Sequence, residues 1–199
     1  MMKTVMRLPE TIAGWFAHIN FLGPLAIRLY LVPIFWMAGT EKLAHMEDTI
    51  QWFGNTQWGL GLPFPTVMAY LATFSEIIGA ICLLFGFATR WIAIPLIVTM
   101  IMAMVTVHIE HGWLAIASQS SEAHMRLQGF MEWLQQTYPK RYHYLTELGQ
   151  PVMLNNGIEF ATTYLIMLVS LFFTGAGRFF SLDYWLLLWC KRINKSCAR

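Results

Sequence analysis

One apolar run in this sequence, residues 65–90, carries a single carboxylate near its middle. A membrane-spanning helix needs about 20 consecutive apolar residues, and residues 66–88 provide that length. A carboxylate facing lipid at this depth costs at least ~2.5 kcal/mol. Glu76 shares one helical stripe with the small residues Ala69, Ala72, Gly79 and Gly86, and small residues mark close helix packing in membranes. We therefore predict that Glu76 points into a helix bundle.

The composition indicates an integral membrane protein. Of the 199 residues, 57% are hydrophobic and 12% are charged, whereas soluble proteins are about 25% charged. Apolar runs predict four spans, at about 21–40, 66–88, 90–110 and 157–177, with an outer loop at 111–156. The predicted fold is an all-α four-transmembrane-helix bundle forming one domain over residues 1–199, with no room for a separate soluble catalytic domain.

The positions of the basic residues predict the orientation of the bundle. If both termini and the turn at Thr89 and Arg90 are cytoplasmic, that side carries Lys3, Arg7, Arg90, Arg178, Lys191, Arg192, Lys195 and Arg199. The opposite side carries Lys42, Arg126, Lys140 and Arg141. The excess of basic residues favours both termini inside. The net charge of +2 is too small to indicate a nucleic-acid partner, and the basic cluster near the C-terminus is typical of a membrane anchor.

Amphipathic segments predict interfacial helices at both termini and in the outer loop. At the N-terminus, an apolar stripe is formed by Leu8, Ile12, Phe16 and Ile19. In the loop, the repeat comprises Leu127, Phe130, Met131, Leu134 and Tyr138, between a possible cap at Ser121 and Pro139. A shorter loop helix is expected around residues 142–148. Near the C-terminus, the segment 184–190 is too short to span a bilayer.

A second charged residue, Arg28, falls inside the first span. At ~1.5 Å of rise per residue, its depth and that of Glu76 differ by only a few ångström in a ~30 Å hydrocarbon core. We expect a buried Arg28–Glu76 pair at the polar centre of the bundle. The alternative is that the Arg28 side chain extends back to the headgroups on its long stem.

Polar residues from three span ends collect at the predicted outer side. They are Glu41, Lys42 and His45 from the first span, His108, Glu110 and His111 from the third, and Asn155, Asn156 and Glu159 from the fourth. Three interpretations are open. The residues are solvated helix ends; or His108, His111, Glu159 and His45 form a transition-metal site such as copper, zinc or iron; or the face gates a quinone that binds beside Lys42, with its ring near Trp36, Tyr70 or Tyr164.

The combination of these motifs resembles the DoxX family of small four-helix membrane proteins. It is carried by Arg28, Gly39-x-x-Lys42, Glu76, Gly86-x-x-Thr89-Arg90, a histidine at the end of the third span, and Gly175-Ala176-Gly177-Arg178 running into Ser181-Leu182-Asp183. The His-Gly-Trp exit and the segment Leu154-Asn155-Asn156-Gly157-Ile158-Glu159 are similar to the HvfX-type branch, which accompanies the maturation of copper-binding peptides.

The resemblance implies a multi-pass protein of the bacterial inner membrane that works beside redox or peptide-maturation proteins, with quinone or copper as the cofactor. The three cysteines form no Cys-x-x-Cys pair, which argues against a dithiol oxidoreductase. We therefore expect an accessory component of a membrane oxidoreductase rather than a stand-alone enzyme, with Glu76 and Arg28 as its catalytic candidates and homo-oligomers possible. The alternative is a non-catalytic scaffold that recruits soluble partners through its outer loop.

Overall fold

The computed structural model describes residues 19–197 of the chain. The helices are α1 (Leu22–Ala44), α2 (Met46–Gly54), α3 (Pro65–Phe85), α4 (Thr89–Ala103), α5 (Glu122–Thr137), α6 (Pro139–Thr146), α7 (Glu159–Thr174) and α8 (Leu182–Cys197). α4 continues into a π-helical turn at Met104–His108 and a 3₁₀ turn at Ile109–His111. Within residues 19–197, the only β pairing is an isolated bridge between Ile116 and Leu154. The all-α prediction is confirmed.

Three helical segments are long and apolar enough to cross a membrane: Leu22–Ala44, Pro65–Phe85 and Thr89–His111. They correspond to the first three predicted spans. The fourth apolar helix, α7, has 16 residues, which is below the length that a span usually needs. A membrane-embedded helical protein is therefore supported, while the fourth span and the inside position of both termini stay predictions.

The described residues divide into two compact units. The first contains the residues up to Met100 and from Tyr164 onward, and the second contains Ile101–Thr163. The core of the first unit consists of apolar side chains from four helices, which are Leu31, Phe35, Ala80, Leu83, Leu96, Met100, Leu168 and Leu171. Most large side chains on the other faces of these helices are exposed and apolar, as expected where a protein meets lipid rather than water.

Helices α1 and α3 pack antiparallel in the first unit. Near one end of the pair, Gly39 lies against Glu76 and Ile77; near the other end, Arg28 lies against Gly86. A Cβ added at Gly39 would stand 3.1 Å from the Ile77 nitrogen and 2.7 Å from its Cγ1 atom. Gly39 therefore allows the two helix backbones to approach closely, as small residues do in membrane helix pairs.

The second unit contains the predicted amphipathic loop helix, α5. Ser121 caps it, since the Ser121 hydroxyl accepts a hydrogen bond from the His124 N–H at 3.2 Å. The shorter helix α6 follows from Pro139, close to the expected position. At the other end of the chain, α8 contains the predicted tail helix. Contact of α5, α6 and α8 with the membrane surface stays a prediction. The expected N-terminal helix around Leu8, Ile12 and Phe16 lies outside the described residues.

Candidate functional site: a buried ion pair between two apolar helices

Lys42 and Glu76 form an ion pair between α1 and α3. The Lys42 ammonium donates to both Glu76 carboxylate oxygens, at 2.9 Å to Oε1 and 2.7 Å to Oε2. The Glu76 side chain is 3% exposed and the Lys42 side chain is 25% exposed. The prediction that Glu76 points into the protein is confirmed. Of the two paired side chains, only that of Lys42 is partly exposed.

The direction of helical side chains explains why these two residues meet. Every Cα–Cβ bond of a helix is tilted toward its N-terminus. Lys42, near the C-terminal end of α1, therefore extends back along its own helix, and its ammonium also lies 3.4 Å from the Ala38 carbonyl oxygen. Glu76 belongs to the antiparallel helix and tilts the opposite way, toward the start of α3. The two side chains consequently converge beside Gly39.

A buried hydroxyl extends the polar strip along α3. Thr73 lies three residues before Glu76, so both side chains lie on one helical face. It is fully buried, and its hydroxyl has no hydrogen-bond partner among residues 19–197. Glu76, Lys42 and Thr73 thus place a carboxylate, an ammonium and a hydroxyl between two mostly apolar helices.

The predicted Arg28–Glu76 ion pair is wrong. Both Glu76 oxygens bond to Lys42, while the buried Arg28 guanidinium donates to the backbone oxygens of Ala176 and Phe180, each at 2.8 Å. Arg28 lies near the start of α1, so its side chain tilts away from Glu76. It reaches Gly86, ten residues beyond Glu76 on α3, which is about 15 Å farther along the helix.

Asp183 lies at the same end of the helix pair as Arg28, and it bonds to the backbone close to Gly86. It was not among the predicted site residues. Its two carboxylate oxygens accept hydrogen bonds from the backbone N–H groups of Ala88 and Thr89, at 2.7 and 3.0 Å. The Asp183 N–H in turn donates to the Gly86 oxygen at 3.0 Å. Asp183 thus satisfies donors at the start of α4. These partners could not be predicted from the sequence, because nothing in the residues around Asp183 indicates a bond to backbone groups more than 90 positions away.

The predicted ring-binding residues occupy different surroundings. Trp36 and Tyr70 are 46% and 43% exposed, and the Tyr70 ring stacks on Phe74 with centroids 6.0 Å apart. Tyr164 is half-buried, and its ring centroid lies 6.3 Å from that of Tyr30. The first two rings are available at the surface of the helices, and their role as a quinone site stays a prediction.

Two histidines of the second unit, His108 and His111, have a ring nitrogen bonded to a backbone carbonyl. Nδ1 of His108 lies 2.8 Å from the Asn156 oxygen, and Nδ1 of His111 lies 3.0 Å from the Val107 oxygen. When each Nδ1 carries the proton, Nε2 is left as the ring atom able to bind a metal. A Glu159 carboxylate oxygen accepts the Ala115 N–H at 3.0 Å. His45, in the first unit, lies 3.5 Å from exposed Glu41.

No group of three or more histidine, cysteine, aspartate or glutamate side chains placed to hold a metal ion occurs within residues 19–197. The proposed metal role of His45, His108, His111 and Glu159 therefore stays a prediction that rests on the sequence and on the orientation of the two imidazole rings.

Residues 23–109, less than half of the chain, match the model of the DoxX family. The matched segment contains Arg28, Lys42, Glu76 and His108, and so both members of the ion pair. The match supports a multi-pass membrane protein, in agreement with the three apolar segments. The narrower resemblance to HvfX-type proteins is not confirmed.

A Bacillus subtilis (strain 168) protein named "Putative oxidoreductase CatD" is 37% identical to this chain over 89 residues. The alignment covers 45% of this chain and 62% of the relative, so the chain spans less than two thirds of that relative's length. No solved structure matches the chain.

Proposed function

We propose that this protein is a component of a membrane oxidoreductase in the bacterial inner membrane, and that the Lys42–Glu76 pair binds the polar head of a quinone. The observation that carries the proposal is the ion pair itself, which joins two helices that are long and apolar enough to cross a membrane. An ionisable residue within a membrane span is costly and is by default a candidate for function.

The chemistry of the pair fits a quinone and its quinol. The Lys42 ammonium is a donor suited to a quinone carbonyl, and the Glu76 carboxylate is an acceptor suited to a quinol hydroxyl. Reduction of a quinone to a quinol consumes two electrons and two protons. In this proposal a partner redox protein supplies the two electrons, while the Lys42–Glu76 pair exchanges protons with the bound ring.

The position of the pair also fits a ligand that arrives through the bilayer. Lys42 is a quarter exposed and covers a nearly inaccessible carboxylate. Movement of the flexible lysine stem would uncover the Glu76 carboxylate. The exposed rings of Trp36 and Tyr70 offer apolar surface for the quinone ring on helices α1 and α3.

A binding titration with a short-chain quinone tests the proposal. Wild-type protein in nanodiscs is compared with Glu76→Gln and Lys42→Gln, with Glu41→Gln as the matched control because its carboxylate is exposed on the same helix as Lys42. We expect both pair variants to bind at least about tenfold more weakly, as the loss of a hydrogen bond to a charged group predicts, and the control to bind normally. Equal affinity in all four folded proteins would refute the quinone site.

A second proposal, support of copper-peptide maturation, is favoured by the two carbonyl-held imidazoles of His108 and His111. Titration of the purified protein with Cu(I) tests it. We expect His108→Ala to lose the metal, whereas His143→Ala, which changes an exposed histidine of α6, retains it. If the protein binds neither quinone nor copper but captures a soluble protein through residues 111–156, the scaffold alternative replaces both proposals.

A further inference from the structure

A cavity of about 530 Å³ lies at the end of the first unit opposite the Lys42–Glu76 pair. It is bounded by the first residues of α4, by the end of α7 and the residues after it (Thr174–Gly177), and by the first two turns of α8. The turn at residues 86–88 joins two segments that are each long enough to cross a bilayer. Because such a turn must lie at a membrane surface, the cavity beside it lies at the depth of the lipid headgroups.

The cavity contains a cation, Arg90, that forms no ion pair among the described residues. Arg90 donates one hydrogen bond, from Nη2 to the Phe173 oxygen at 3.1 Å, and makes no ion pair with any carboxylate of the described residues. Asp183 also lines the cavity. Its oxygens accept hydrogen bonds from the N–H groups of Ala88 and Thr89 rather than from Arg90, so this carboxylate keeps its charge but leaves the guanidinium N–H groups free for another acceptor.

The remaining wall is apolar and open. Trp91 is 77% exposed, and Leu187 of α8 is also exposed. Lys191 follows Leu187 by four residues, so it lies on the same face of α8 one turn beyond the cavity. The site therefore combines an unpaired guanidinium, a second cation nearby and an apolar wall that continues toward lipid.

We propose that this cavity binds the phosphate group of an anionic phospholipid, with the acyl chains lying over Trp91 and Leu187. The planar guanidinium of Arg90 presents paired N–H groups that match phosphate oxygens. Tryptophan is favoured at the depth where headgroups meet acyl chains. The shared chemistry, a phosphate ester, could also come from a soluble phosphate, but the exposed apolar wall favours a lipid.

Lipid retention by the full-length protein tests this site. Wild type, Arg90→Gln and the control Arg178→Gln are reconstituted with an equal mixture of phosphatidylglycerol and phosphatidylcholine, extracted in mild detergent and examined by native mass spectrometry. Arg178 is an exposed arginine outside the cavity lining, so its replacement removes the same charge. We expect one retained phosphatidylglycerol per wild-type chain, about tenfold less in Arg90→Gln, and wild-type retention in Arg178→Gln.

A second pair of variants keeps the test valid if Arg90→Gln unfolds. Leu187→Glu and Leu187→Gln change the same exposed position, and only the first adds a negative charge to the cavity wall. Loss of phosphatidylglycerol in Leu187→Glu alone supports the site. Equal retention by all variants, equal loss in Arg90→Gln and Arg178→Gln, or thermal stabilisation of the wild type by glycerol phosphate as strong as that by phosphatidylglycerol would overturn the lipid assignment.

Discussion

The Lys42 ammonium lies 2.9 and 2.7 Å from the two carboxylate oxygens of Glu76, although 34 positions separate the residues in sequence. This contact fixes the facing sides of α1 and α3 at one end of the helix pair. Only the lysine side chain is appreciably exposed. Removal of Lys42 therefore leaves a buried charge without a partner, whereas removal of the Glu76 charge leaves a lysine that is already partly exposed.

The first prediction concerns that difference. Lys42→Met leaves a buried carboxylate without its partner and should lower the free energy of unfolding by about 3–5 kcal/mol. Glu76→Gln should cost less, since the freed lysine can extend to water. Thermal unfolding in one detergent measures both, with Glu41→Gln as an exposed control. The double variant Lys42→Met with Glu76→Leu should recover much of the loss, and a double variant as unstable as the sum of the two changes would contradict the pairing.

The second prediction concerns the close approach of the helices at Gly39. In Gly39→Ala, the new Cβ would lie 3.1 Å from both the Ile77 nitrogen and the Glu76 Cβ. Because a backbone atom cannot move aside, α1 and α3 must separate, at a cost of about 1–3 kcal/mol. Gly23→Ala is the matched control, since it changes the same helix where nothing lies within 4 Å. The thermal midpoint should fall only for Gly39→Ala, and equal midpoints would show that the helices are not tightly packed there.

The burial of Glu76 could be predicted from the sequence because it follows from a local pattern. The apolar length of the span and the stripe of small residues need no knowledge of other helices. The same pattern indicated the face that packs, although Thr73, rather than Ala72, belongs to the most buried side of α3.

The partner of Glu76 could not be predicted because its identity depends on the direction in which the side chains extend and on the residue at which α1 ends. The sequence estimate compared the depths of Arg28 and Glu76 along the helix axes, and it ended the first span at about residue 40. α1 instead continues to Ala44, so Lys42 is still helical and tilts back into the membrane-spanning part. Arg28 tilts in the same direction along α1, but it starts on the N-terminal side of the level of Glu76, so its side chain extends away from Glu76 and bonds to the backbone after α7.

The third prediction concerns Gly86, the residue that ends α3. Its φ of +62° is left-handed, and a Cβ there would overlap Nη1 of Arg28 and lie 2.7 Å from the Ser181 Cβ. Gly86→Ala therefore combines a backbone cost of about 1–2 kcal/mol with displacement of the buried guanidinium. Gly61→Ala isolates the backbone cost, since φ is +61° and its nearest contact is 3.4 Å.

Chemical denaturation of both glycine variants provides the measurement. We expect Gly86→Ala to lose at least about 1 kcal/mol more than Gly61→Ala, because Arg28 can no longer reach both carbonyl oxygens without strain. Similar losses in the two variants would mean that the space beside Gly86 adjusts freely, and that the arginine does not lock this end of the helix pair.

The final prediction concerns Asp183, whose carboxylate satisfies two backbone donors at the start of α4 from a position 94 residues farther along the chain. Asp183→Ala should lower the free energy of unfolding by about 0.5–2 kcal/mol, as the loss of other N-terminal caps does, and the Ala88 and Thr89 amide protons should exchange faster with solvent.

Asp48→Ala is the control, because Asp48 is an exposed residue in the first turn of α2 and its loss removes only a favourable interaction with the helix dipole. Hydrogen exchange distinguishes a cap from a general charge effect: faster exchange at Ala88 and Thr89 in Asp183→Ala alone is expected, whereas unchanged exchange there would mean that the two amides are protected by the α3–α4 turn without help from α8.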